Sequence, residues 1–480
     1  MLTSVSAASP PAVLAPKVSH AILLTSAQLS RGFARLLFVV VVARVLGPEQ
    51  FGVYAFLVAT VEMLAVLSGS GYTDYLTREA AKDERLGWGL ATQLGWLRAA
   101  YTIAFTAAGL GLLWLCGYPR SVFMGAAWMS LTLIPRSVSE SIQGVLRGTG
   151  RYVQFFIVEL AFGLTLAASA GTLLVRGGSL AAAVIRELAA VGIAAVVAVA
   201  FALRFRTKQR LRLKGSHVLK VSAIFNIYAF VGNLYDRLDV IMLSRLAGDY
   251  GTGVYSAAYR PLNTIQLLPY GVLYSLLPAL SRGDNSEAER ESLEKAMGLL
   301  LSAALAIVLA TMAFADALVP LILGTRFAES SAALKILIWA VVFRYLNYGL
   351  NMRLLARGHE RVFVATSLIC LAVNFVGNLV FIPIFSWRAA AFLTIVTEIV
   401  LFVQNLYWIR RVFGNVVVPF HASRVSLTFL ALYAIALAGE RVVSPLLVGV
   451  ACLFSFLFYL YYTGMAAEFI AVWRAEPSSL

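Results

Sequence analysis

Charge is scarce in this chain. Only 13% of its 480 residues are Asp, Glu, Lys or Arg, whereas 60% are apolar and the mean hydropathy is +0.82. A soluble domain carries about 25% charged residues, so the composition excludes one and implies a membrane protein. Cysteine is sparse too: Cys116, Cys370 and Cys452 lie far apart in apolar runs. That spacing excludes a disulfide framework and points to packing. The four histidines (His20, His217, His359, His421) fall singly at the edges of apolar runs, where interfacial roles are expected rather than catalysis. No Gly-x4-Gly-Lys-[Ser/Thr] run is present, so nothing here would cradle the phosphates of ATP. Long loops are missing as well, which excludes a soluble catalytic domain and leaves any chemistry to the membrane.

What remains is a succession of apolar runs, each about the 20 residues that cross a bilayer core. They lie near 20–46, 52–76, 88–116, 121–146, 152–175 and 179–203, then near 218–247, 253–280, 295–323, 330–355, 362–385 and 388–409, with a last pair near 424–440 and 443–463. The expected fold is all-α and polytopic, with about 14 transmembrane helices: two six-helix lobes and a C-terminal pair. The expected segments are a cytosolic tail at 1–17 without a convincing cleavage site, a first lobe at 18–203, and a basic cytosolic linker at 204–217. A second lobe at 218–411 and a helix pair with tail at 412–480 complete the chain. With both termini placed in the cytosol, inner segments hold 21 Lys and Arg and outer loops hold 7. That bias supports the topology. The linker run Arg204-Phe-Arg-Thr-Lys-Gln-Arg-Leu-Arg-Leu-Lys214 is expected to meet anionic lipid headgroups, which accounts for the net charge of +15 without nucleic acid.

The two lobes are copies. Arg44-Val-Leu-Gly47-Pro-Glu-Gln-Phe-Gly52-Val-Tyr54 returns 201 positions later as Arg245-Leu-Ala-Gly248-Asp-Tyr-Gly-Thr-Gly253-Val-Tyr255, and Leu37, Val39 and Leu76 match Leu238, Val240 and Leu277. A weaker pair, Arg147-Gly148 and Arg357-Gly358, follows at an offset of 210. Six helices per copy put both motifs on the same side, so the repeat is parallel. Such repeats build secondary transporters.

Arginine inside the apolar runs is the second clue. Arg31, Arg35, Arg98, Arg136, Arg186, Arg237, Arg260 and Arg344 lie deep in their helices. A charge at mid-helix costs about 2.5–3.5 kcal/mol on insertion scales, so each must face an acid or water. Acids are available at Glu62, Glu140, Glu159, Glu187, Asp236, Asp239, Asp316 and Glu398, with Arg186–Glu187 and Arg237–Asp236 as neighbouring pairs. Spacing groups the polar residues into stripes. Arg31 and Arg35 share a face; so do Arg136, Glu140 and Gln143, and Arg344, Asn347 and Asn351. Asp236, Arg237 and Asp239 fall together, as do Arg260 and Asn263. Stripes on helices of both copies imply a hydrated cationic cavity, and guanidinium forks select phosphate or carboxylate. Tyr54, Tyr235, Tyr255, Tyr259 and Tyr348 lie near the stripes, where stacking on sugar rings and plain packing are both open.

Several of these features together resemble the Wzx-type polysaccharide flippases of the multidrug/oligosaccharidyl-lipid/polysaccharide exporter superfamily. They are Leu46-Gly-Pro-Glu-Gln-Phe-Gly-Val-Tyr54 after an Arg-bearing helix, Gly71-Tyr72 with Arg78-Glu79, Asp236-Arg237-Leu-Asp239 and Gly253-Val-Tyr-Ser-Ala-Ala-Tyr259. The likeness spans roughly residues 20–465. It implies two rocking lobes around a central cavity and a cargo of undecaprenyl-pyrophosphate-linked oligosaccharide moved to the outer leaflet of the bacterial inner membrane. The expected substrate-binding set is Arg31, Arg35, Arg98, Arg136, Arg237, Arg260 and Arg344. The expected ion-coupling acids are Glu62, Asp236 and Asp239. No catalytic residue, metal or cofactor is expected. Expected partners are the anionic lipid-linked oligosaccharide and membrane lipids, and a polysaccharide polymerase is compatible with such a role. Competing readings are a lipid II flippase, which shares the fold; a multidrug antiporter, which favours an acidic cavity; and a polymerase or ligase, which works through a large outer loop missing here. Arg31→Ala and Arg35→Ala are expected to abolish export without preventing insertion, and Arg176→Ala to be close to silent. A cell-surface polysaccharide assay on the double Arg31/Arg35 variant and on Arg176→Ala checks both; normal export by the double variant would remove the cavity reading.

Overall fold

The computed structural model describes residues 18–205, 215–266, 268–269, 272–273, 287–414, 417–439 and 444–464. The expected tail 1–17, the core of the expected linker at 206–214, residue 277 of the repeat and the chain end at 465–480 lie outside the described residues. Every regular element among the described residues is helical. The first lobe comprises α1 (Val18–Leu67), α2 (Ser70–Lys82), α3 (Glu84–Leu115), α4 (Arg120–Ser130), α5 (Leu133–Gly148), α6 (Tyr152–Arg176) and α7 (Leu180–Phe205). The second comprises α8 (Gly215–Leu246), α9 (Gly248–Ile265), α10 (Glu287–Leu323), a 3-10 turn (Thr325–Phe327), α11 (Ala328–Leu337), α12 (Ala340–Ala356), α13 (Glu360–Phe385) and α14 (Trp387–Phe413). α15 (Ala422–Gly439) and α16 (Pro445–Tyr462) form the last pair, packed on α10 and, through Phe429, on Trp339.

The helices differ from the expected 14 in three instructive ways. The first two expected spans are two helices with no loop between them: Gly47 leaves the helical conformation at φ 75, ψ 174, and Pro48 starts the second helix directly after it. Only glycine adopts that conformation without strain, and proline fits a first helical turn. The second expected span ends early, at Ser68-Gly69, where Gly69 has φ 125 and α2 begins anew. The fourth span of each lobe is broken in two: at Leu131-Thr132, and 207 positions later at Ile338-Trp339. Pro135 in the first turn of α5 explains the first break. The second has neither Pro nor Gly, and follows the duplicated fold rather than its local sequence.

Nine helices among the described residues are long and apolar enough to cross a bilayer. The broken or polar ones, α5, α8, α9 and α12, carry Arg136, Arg237, Arg260 and Arg344. Large apolar side chains stand exposed around the outside, including Val175 (85%), Val196 (70%) and Tyr462 (81%). A soluble protein would bury such a belt; here it meets lipid. Cys370 and Cys452 are buried as expected of packing residues, whereas Cys116 is exposed where α3 ends, outside any packed run.

The duplicated motif closes the lobes upon each other. α1 packs most heavily on α6 in its own lobe and on α9 across the interface. At this end of the bundle a Cβ on Gly52 would sit 1.8 Å from the carbonyl oxygen of Asp249, and one on Gly253 would sit 1.9 Å from that of Pro48. Each glycine therefore receives the backbone of the other copy's helix start. The contact is isologous, as in a twofold dimer. Small residues permit such close helix approach where the hydrophobic effect gives no help. The motif arginines cross over as well: Arg44 lies beside Gly324, and the Arg245 guanidinium lies 5.9 Å from the Tyr118 ring. Gly52→Ala and Gly253→Ala are each expected to destabilise the purified protein by about 1–3 kcal/mol, the usual range for overpacking, and to similar degrees. Unfolding in mixed micelles measures this, and an unchanged Gly253→Ala protein would refute the contact.

Candidate functional site

α1 carries Arg31 and Arg35 four residues apart, so both point to one side, toward α6 and α7. Arg31 donates to both carboxylate oxygens of Glu159 at 2.9 and 3.0 Å and lies 4.5 Å from the Phe162 ring centre. Arg35 pairs with Glu187, whose other oxygen accepts from the Tyr54 hydroxyl at 2.7 Å. Arg98, on α3, is buried and donates to Glu140 at 2.7 Å, Ser141 at 2.8 Å and Thr73 at 3.2 Å. Glu140 also accepts from Arg136 at 2.8 Å, so one acid bridges two arginines.

Among the described residues one ion pair spans the lobes. Arg237 of α8 contacts Glu62 of α1 at 2.6 Å, with both side chains about one-quarter exposed. Arg35, Arg136 and Arg260 also lie within electrostatic reach of Glu62, so four arginines from four helices surround a single carboxylate. Arg260 differs from its neighbours. Among the described residues it makes no ion pair, and its Nε is buried without a hydrogen-bond partner. It stands beside Arg237, Arg35, Tyr54 and Glu62. The region gathers Arg31, Arg35, Arg98, Arg136, Arg237 and Arg260 against Glu62, Glu140, Glu159 and Glu187. Six guanidiniums against four carboxylates leave an excess of two positive charges at the lobe interface.

The seventh arginine lies apart. Arg344 is buried in the second lobe, donating to Glu398 at 2.6 Å and to the Tyr259 hydroxyl at 3.3 Å. Asn347 donates to Glu398 at 3.0 Å, and Asn405 donates to Asn347 at 3.1 Å. Arg186 donates to the Ala182 carbonyl at 3.0 Å. The neighbouring pairs suggested by sequence do not form: Glu187 belongs to Arg35, and Arg237 belongs to Glu62. Adjacent residues on a helix point about a quarter-turn apart, so sequence neighbours are poor partners.

The candidate ion-coupling acids have different surroundings. Asp239 is buried and accepts from Tyr255 at 2.6 Å, Asn378 at 2.6 Å and Thr394 at 3.2 Å, while Asn378 also donates to Asn374 at 2.8 Å. All these partners are neutral. The first-lobe counterpart is Tyr54 on Glu187, but there Arg35 supplies a charge. Asp236 is exposed toward a cavity in the second lobe. Sequence reasoning missed Asn374, Asn378 and Thr394. A signal was available, since Asn374 and Asn378 are an i, i+4 amide pair in an otherwise apolar span, and intramembrane polar residues face the interior.

The architecture is a multi-pass helical membrane bundle whose fold is shared by solved transporters. The structure is similar to a lipid II flippase, MurJ, in an inward closed conformation, with a TM-score of 0.66 at 11% identity over 93% of this chain and 99% of that one. It is also similar to a multidrug-resistance MATE family transporter in an inward-facing conformation, with a TM-score of 0.63 at 15% identity over 82% of this chain and 98% of that one. An outward-facing MATE transporter of the same superfamily gives a TM-score of 0.55 at 16% identity, covering 82% and 95%. A search of curated proteins finds no match. The sequence profile described as "Polysaccharide biosynthesis protein" matches residues 18–284, and a MatE profile matches residues 226–380. The chain belongs to the polysaccharide biosynthesis protein family, and its helices make it a multi-pass membrane protein.

Removing Arg344 leaves Glu398 charged and buried, whereas removing Arg260 orphans no acid. Arg344→Ala is therefore expected to cost on the order of 3 kcal/mol of unfolding free energy. Arg260→Ala should stay within roughly 0.5 kcal/mol of the parent. Parallel unfolding titrations compare them; equal losses would mean that Arg260 has a structural partner.

Proposed function

We propose that this protein carries an undecaprenyl-pyrophosphate-linked oligosaccharide from the cytosolic to the outer leaflet of the bacterial inner membrane. It acts by alternating access, is driven by an ion gradient, and has both termini in the cytosol. It acts as a translocase, with no covalent step. The observation that carries this reading is the positive excess between the lobes, centred on the unpaired Arg260 beside Arg237 and Arg35. A pyrophosphate diester carries one negative charge on each phosphate, which matches the two-charge excess. Guanidiniums bind such oxygens through paired, charge-assisted hydrogen bonds. Glu62 then has a clear role. Without cargo it holds Arg237, and the arriving anion displaces it, which loosens the Arg237–Glu62 ion pair joining α1 to α8. Family membership supports a polysaccharide precursor over a drug cation, which this site would repel.

Alternation is supported by the close glycine approach at the motif end, a contact that must part when that side opens. Coupling is assigned to Asp239. Its carboxylate has only neutral partners, so a proton or a sodium ion can supply the missing charge, whereas Glu187 already has Arg35. Asp236, facing the cavity, and Glu62, locked to Arg237, serve the cargo side.

The test is reconstitution in liposomes with a fluorescent lipid-linked oligosaccharide, scored by access of an added glycosidase to the sugar. Arg260→Ala is expected to lose most transport. Asp239→Asn is expected to keep cargo binding but lose stimulation by an imposed proton or sodium gradient. Full transport by both variants would refute the assignment.

A further inference from the structure

The second lobe contains a cavity of about 200 Å³, separate from the charge cluster at the interface. It is walled by α8, α12, α13 and α14, with Gln266 at the end of α9. Among the described residues three buried polar atoms of its lining have no hydrogen-bond partner: Gln266 Nε2, a donor, Asn351 Oδ1, an acceptor, and the Tyr235 hydroxyl. Buried polar groups are nearly always satisfied, so three orphans on one cavity call for something that fills it. Asp236 adds a carboxylate, and Tyr235 and Tyr348 add ring faces.

The charge excludes a second phosphate site. Asp236 and Glu398 outnumber Arg344, so the lining is net negative. What suits it is a neutral molecule rich in hydroxyls, each of which both donates and accepts. Amides, a carboxylate and aromatic faces together provide for a pyranose ring: its hydroxyls find polar partners and its C–H face finds a ring. The position agrees. Asp236 lines the cavity while Arg237, the next residue of α8, reaches Glu62 at the lobe interface. Likewise Arg344 at the cavity contacts Tyr259, the residue before Arg260. A ligand whose sugar is bonded directly to a pyrophosphate needs these two environments side by side.

The geometry points to a sugar-ring subsite in the second lobe, built on Gln266, Asn351 and Asp236, which holds the sugar nearest the pyrophosphate. The inference rests on the cargo proposed above. The subsite discriminates glycosylated from bare carrier lipid, so that empty carrier is a poor ligand.

Native mass spectrometry of the full-length protein in detergent tests it with two probes: undecaprenyl pyrophosphate, and the same lipid bearing one N-acetylhexosamine. The parent protein is expected to prefer the glycosylated probe about tenfold, the size that two neutral hydrogen bonds give. Gln266→Leu and Asn351→Leu should lose that preference while binding the bare lipid as the parent does. Asn351→Asp, which keeps an acceptor, should retain most of it and controls for misfolding. Leucine variants that keep the full preference overturn the subsite. A parent that binds bare and glycosylated lipid equally overturns the subsite and leaves the cargo reading standing, whereas a parent that binds neither overturns both. If sodium chloride stabilises the parent but neither leucine variant, the cavity is a cation site and the proposal falls.

Discussion

A guanidinium cannot face hydrocarbon, and most of this structure follows from that. Seven arginines deep in apolar helices each need a partner, and the partners decide which helices pack together. Arg31 and Arg35 fasten α1 to α6 and α7; Arg98 and Arg136 meet on Glu140; Arg344 ties α12 to α14. Only after those pairs are made does a surplus remain, and it remains between the lobes. Function thus depends on what stability leaves over. The pairs fix the walls of each lobe, and the unspent charge near Arg260 is available to a ligand.

The duplication makes the asymmetry informative. Tyr54 and Tyr255 occupy equivalent places, 201 positions apart, and each hydroxyl donates to a buried acid. In the first lobe that acid is Glu187, neutralised by Arg35. In the second it is Asp239, held by amides and hydroxyls, with Thr394 standing where the first lobe has Glu187. In one copy the acid is matched by an arginine. In the other, neutral groups alone hold it among the described residues, and that copy also contains the polar cavity. The two lobes share a backbone plan and differ in charge: surplus arginine gathers on α1 and α5 with the facing helices, while the neutrally held carboxylate lies among α8, α13 and α14.

Much of this was legible in the sequence. The apolar runs gave the spans, the 201-residue echo gave the parallel repeat, and the cost of buried charge singled out the arginines. Helix boundaries were less legible, because the expected loop after Gly47 shrinks to that one residue between two helices, and because the Ile338-Trp339 break has no local residue to announce it. Ion-pair partners were least legible. Arg31 meets Glu159 and Arg35 meets Glu187 across 128 and 152 positions, so the pairing depends on which helices adjoin. Spacing along one helix reveals a face but not what the face meets. The same limit hid Asn378 and Thr394, whose role appears only once α13 and α14 are placed against Asp239.

The glycine approach at the motif end has a mechanical consequence. While that end stays shut, the two backbones that touch at Gly52 and Gly253 act as a pivot, and the arm of α1 beyond it runs about 22 Å to Leu67 at 1.5 Å per residue. A tilt of roughly 10° about that point carries the far tip sideways by about 4 Å. Glu62 rides on this arm and Arg237 on α8 beside it, so a small change of angle where the backbones meet is magnified at the carboxylate that four arginines surround.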